Sequence, residues 1–115
     1  MFKRIFIAAI VCALGGAANA ADLTAVASQC LASPESTILS LHRPALIQTL
    51  TQFRDDAKGA SADKKVVFSS SAAFDWAVAT TVQCNVALGY LQGGFLDKDS
   101  AKKCDCFHGR LEGLL

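Results

Sequence analysis

Two of the five cysteines and one of the two histidines in this sequence fall within five consecutive residues, Cys104-Asp105-Cys106-Phe107-His108. Two thiols and an imidazole this close would suit Cu(I) or Zn(II), because soft thiolates select such ions. If the stretch is helical, Cys104 and Cys106 project about 200° apart at 3.6 residues per turn. Cys104 and His108, spaced i and i+4, then share a face. No second C-x-C or C-x-x-C completes a four-ligand zinc site, and the single methionine is Met1, which argues against an exported copper carrier. A metal-handling protein built on Cys104, Cys106 and His108 is therefore the alternative reading, and structural disulfides are the first.

Other chemistries find less support. A dithiol exchanger wants an exposed, low-pKa thiol in a Cys-x-x-Cys arrangement at a helix N-terminus, and this pair sits within a helical pattern. A nucleophile–His–acid triad has only His42 and His108 to draw on, and no serine lies in a glycine-flanked elbow. The acids Asp55-Asp56 and Asp97/Asp99 read as solvated helix ends. No catalytic residue, and no cofactor, is expected.

The first 20 residues resemble an address label. Met1-Phe2-Lys3-Arg4 is a positive n-region, Ile5–Leu14 an apolar core and Ala18-Asn19-Ala20 a small-x-small cleavage site. An apolar core of this length is too short to stay as a spanning anchor, which needs about 20 residues. Cleavage after Ala20 leaves 95 of the 115 residues as a single domain. It removes Cys12, Lys3 and Arg4, leaving four cysteines and 9 basic against 10 acidic residues, a net charge of −1. A near-neutral domain lacks the electrostatic footprint for nucleic acid or anionic lipid, so neither is expected as a partner. Four cysteines in an exported chain read as two disulfides, and the location expected is the periplasm or the medium.

Helical spacing must position these groups, since period-two alternation is almost absent. Leu23, Val26, Ala27, Cys30 and Leu31 form one stripe over Ala21–Ala32. A second helix is predicted over Pro44–Lys58, with Leu46, Ile47, Leu50 and Phe53 inward and Gly59 as its stop. Residues 59–70 form a polar connection around Val66-Val67-Phe68, read as a scrap of strand or a pinned loop. A third helix is predicted from an N-cap at Ser71 to Gln92, stopped by Gly93-Gly94. It is apolar around most of its circumference, which predicts a central, buried element. A fourth is predicted from Asp97 or Asp99 past His108, with Ala101, Cys104, Phe107 and Leu111 inward.

These elements predict an all-α fold: four helices, five with a short turn near residues 38–41, stapled by two disulfides. A bridge between Cys104 and Cys106 would strain a helix, so two pairings remain. At equal rise along a hairpin, residue 84 lies level with about 107, which favours Cys84–Cys106 with Cys30–Cys104.

Tyr90 opens the run Tyr90-Leu91-Gln92-Gly93-Gly94-Phe95, aromatics beside a flexible tip that would suit a protein partner. Arg54, Lys64 and Lys65 add charge in the other candidate loop. The stretch Cys84-Asn85-Val86-Ala87-Leu88-Gly89-Tyr90-Leu91-Gln92-Gly93 resembles the Cys…Gly-Tyr-hydrophobic-x-Gly helix of Rap1a/Tai4-type proteins. These are small exported helical immunity proteins that neutralise peptidoglycan amidases delivered by type VI secretion. The match covers Cys84, Gly89, Tyr90 and Gly93, and carries over no inhibitory residue.

The function expected is that of an exported protein-binding module, in its most concrete form an inhibitor or immunity protein that occludes a cell-wall hydrolase. The partner expected is a protein, such as a toxin or hydrolase, or a second copy in a homodimer. A small periplasmic stress chaperone is a further alternative, for which two histidines offer little titratable leverage.

Overall fold

A computed structural model describes Cys30 and residues 36–115 of the chain. The leader, its cleavage site and the helix expected over Ala21–Ala32, apart from Cys30, lie outside the described residues. Within them the chain is all-α: a 3-10 turn (Thr37–Ser40), α1 (Arg43–Ala62), α2 (Lys64–Val67), α3 (Ala73–Gln92) and α4 (Lys98–Glu112). Helix α3 packs against both α1 and α4, and those two also meet each other. None of the described helices is long and apolar enough to cross a membrane.

Helix α1 begins with Pro44 in its first turn and His42 as its N-cap residue. It then runs through Gly59, where a stop was expected, to Ala62. A mid-helix glycine costs about 1 kcal/mol relative to alanine. Burial of Ala57 and Ala60 on either side of it offsets that cost and holds the last turn in place. Asp63 makes the actual break: its carboxylate accepts from the Lys65 amide at 2.9 Å and so caps α2. Val66-Val67, read as strand or loop, belongs to this one-turn helix, with Val66 buried.

At the start of α3, Ser71 Oγ accepts from the Ala73 amide at 3.2 Å, although the cap position itself is Ala72. The far end closes in a Schellman motif. The Phe95 amide donates to the Tyr90 carbonyl (2.9 Å) and the Gly94 amide to that of Leu91 (3.0 Å). Gly94 holds a left-handed φ of 82°, which L side chains rarely adopt. Asp97 then caps α4 by accepting from the Ser100 amide at 3.3 Å.

The core divides into two clusters stacked along the bundle. One gathers Cys30, Ala57, Ala60, Val66, Trp76, Ala77, Phe107 and Leu111 among others. The second gathers Ile38, Leu46, Leu50, Cys84, Leu88, Leu91, Ala101 and Cys104 among others. Each cluster holds one disulfide. The bridges are Cys84–Cys104 and Cys30–Cys106, with Cα–Cα distances of 4.7 and 5.6 Å.

This corrects the expected pairing of Cys84–Cys106 and Cys30–Cys104. Axial level separates residues 104 and 106 by only about 3 Å, too little to choose between them, so the helix face decides. Cys104 is fully buried on the side of α4 that meets α3, where Cys84 is also fully buried. Cys106 projects from a different side of α4, where Cys30 bonds it beside the other half of the core.

Candidate interaction surface

The sequence-derived candidates part company in three dimensions. Cys104 and Cys106 are both oxidised, so neither offers a thiolate to a metal and the Cys104/Cys106/His108 set is not a ligand group in this structure. His108 turns instead to α1, where its Nε2 lies 3.0 Å from Asp56 Oδ2. Asp56 and Asp55, expected at a solvated helix end, sit well inside the longer α1.

Tyr90 and Phe95 do meet. Their ring centroids are 5.6 Å apart at an interplanar angle of 59°, and the residues are 47% and 59% exposed. Their contact is the apolar clasp that accompanies a Schellman cap. Helix termination therefore supplies a structural reason for the pair, and leaves both rings facing outward.

Arg54, Lys64 and Lys65 do not join them. The Arg54 guanidinium pairs with neighbouring Asp55 at 3.1 Å. Lys64 and Lys65 form α2 at the end of the bundle where α3 begins. Tyr90 lies about 25 Å further along, at the other end of α3. The three cations and two aromatics thus make no common site.

The structure reveals a feature the sequence reading passed over. Phe74, Val78, Val82, Val86 and Tyr90 recur every fourth residue along α3, and each is between 39% and 52% exposed. They form one ridge about 24 Å long, inclined to the helix axis as such rows are. Among the described residues, α3 touches only α1, α2 and α4, and none of these covers the ridge. Among the described residues, α3 is thus central, as expected, and its neighbours leave the face of Phe74, Val78, Val82, Val86 and Tyr90 exposed. Its one charged residue is Asp75, so the ridge runs uncharged over four turns and ends on Phe95 beside Tyr90. A contiguous exposed apolar patch of this kind marks an interaction surface more often than chance exposure does. The four-residue repeat was present in the sequence but was absorbed into the reading of an all-round apolar helix.

The chemistry of this face is that of apolar contact with aromatic anchors. The chain matches no protein-family model, no curated protein and no solved structure.

Proposed function

We propose that this chain is an exported protein-binding module, in its most concrete form an inhibitor or immunity protein that occludes a cell-wall hydrolase. The observation that carries the reading is the uncharged ridge Phe74–Val78–Val82–Val86–Tyr90, ending on Phe95, on a frame held by two disulfides. Aromatic anchors dominate interface energetics, and a rigid frame reduces the ordering cost of binding. Disulfides belong to oxidising compartments, in keeping with the leader pattern in residues 1–20.

The test uses the mature, oxidised protein as bait in a periplasmic extract, beside Val82→Asp and Tyr90→Asp variants that keep the wild-type melting temperature. The expected result is recovery of a peptidoglycan hydrolase whose lysis of cell walls the wild-type protein inhibits and both variants fail to inhibit. Recovery of no hydrolase, or inhibition unchanged in the ridge variants, overturns the proposal.

One observation favours a second reading of the same face. The order aromatic–Val–Val–Val–aromatic is nearly the same read in either direction, and a two-fold interface requires such self-complementarity. Antiparallel packing about Val82 would set Phe74 against the second copy's Tyr90, with the four-residue ridges crossing near −50°. A concentration-dependent doubling of mass in solution, abolished by Val82→Asp, would favour this reading.

A further inference from the structure

Where α1 and α4 face each other, three side chains from distant parts of the sequence converge. His108 Nε2 lies 3.0 Å from Asp56 Oδ2 and 3.3 Å from Glu112 Oε1. One ligand atom from each of the three lies within 4.8 Å of the others. His108 and Glu112 stand one turn apart on α4 and share a face. The imidazole is held in place: its side chain is 13% exposed, and its ring stacks on Phe53 with centroids 3.9 Å apart and planes 13° apart. Asp56 is oriented too, because Gln52 Nε2 donates to its other oxygen at 2.8 Å.

A single ring nitrogen carries at most one hydrogen, yet Nε2 faces two carboxylate oxygens. One N–H can be directed at only one of the two carboxylates, leaving the other to solvent, and a neutral ring with its proton on Nδ1 turns a lone pair toward both anions. A cation among the three atoms satisfies all of them. We propose that Asp56, His108 and Glu112 bind a divalent transition-metal ion of the zinc class, tying α1 to α4.

The donor set and spacing support that class. One imidazole and two carboxylates balance a charge of +2, and imidazole selects zinc-type ions over magnesium or calcium. Zinc bonds of 2.0–2.2 Å to nitrogen and oxygen in a tetrahedron place ligand atoms about 3.3 Å apart. The contact from Nε2 to Glu112, 3.3 Å, has this spacing, and that to Asp56, 3.0 Å, is slightly shorter. Glu112, 53% exposed, can close the remaining gap by rotating toward the held pair of His108 and Asp56. Asp56 and Glu112 both line a shallow, solvent-open cleft that His108 does not line, so an ion and its water would enter on the carboxylate side. Oriented ligands and an entry path are what a genuine site requires. The inference is independent of the α3 ridge.

The experiment titrates Zn²⁺ into the mature, disulfide-intact protein by calorimetry in a non-coordinating buffer, and records the melting temperature with and without the ion. One equivalent is expected to bind and to raise the melting temperature. Asp56→Asn and Glu112→Gln, which keep shape and remove charge, should each weaken binding at least tenfold and abolish the thermal shift. A His42→Gln control should bind like the wild type. Absence of saturable binding at 100 µM Zn²⁺, or binding unchanged in the Asp56 and Glu112 variants, overturns the proposal.

Discussion

Cys104 and Cys106 stand two residues apart on α4 and reach their partners on opposite sides of the helix. Cys104 bonds Cys84 on α3, and Cys106, from a different side of α4, bonds Cys30 in the N-terminal segment. A C-x-C pair on a helix thereby fastens two different neighbours. Because the bridges lie in separate halves of the core, each pins one half.

Proteolysis under non-reducing conditions should yield linked peptides containing Cys84 with Cys104 and Cys30 with Cys106. The chain segments between the bridged residues span 20 and 76 positions. In the chain-entropy account, loops of these lengths contribute about 3 and about 4.5 kcal/mol. Paired Cys→Ala variants should lower the urea midpoint in that order, with the larger loss for Cys30/Cys106. Linked peptides of the opposite pairing would refute the face-based argument.

Leu50 and Val82 should respond very differently to substitution. Leu50 is wholly buried, and Leu50→Ala should cost about 2–5 kcal/mol through lost burial and the cavity left behind. Val82 is 52% exposed, and replacement with Asp should change stability by no more than about 0.5 kcal/mol. Equilibrium denaturation of the two variants checks the contrast. A large loss at Val82 would mean that the ridge is covered in the free protein.

Asp97 satisfies a backbone donor that would otherwise be orphaned at the start of α4. Asp97→Ala should destabilise the fold by about 1 kcal/mol, whereas Asp97→Ser, which retains a capping oxygen, should recover most of that loss. Thermal or urea unfolding measures both.

Two glycines should show opposite signs. Gly94 sits at φ 82°, and Gly94→Ala should cost about 1–2 kcal/mol because Cβ crowds the following carbonyl there. Gly59 lies inside α1, and a Cβ built on it meets nothing within 4 Å. Gly59→Ala should therefore stabilise the protein by about 0.5–1 kcal/mol through the gain in helix propensity. Melting temperatures should move down for the first and up for the second.

The inward residues Leu46, Leu50, Cys104, Phe107 and Leu111 were legible from helical spacing, as were a helix start at Asp97 or Asp99 and the turn at Gly93-Gly94; that Asp97 makes the cap was not. These are local facts, set by a period of 3.6 and by the dihedral freedom of one or two residues. Gly59 misled because propensity is a weak prior, outweighed when neighbours such as Ala57 and Ala60 bury themselves.

Distances across the bundle were not legible. The sequence by itself determined that this chain makes amphipathic helices and that its thiols, two apart on one of them, must diverge. The tertiary structure alone decided which thiol meets which partner, which face of α3 stays open, and that Asp56 and Glu112 come to the same nitrogen of His108. Helical periodicity states how residues are arranged around their own axis. Only the rotation and offset of α1, α3 and α4 against one another, fixed by packing two small cores, bring together residues about 50 positions apart.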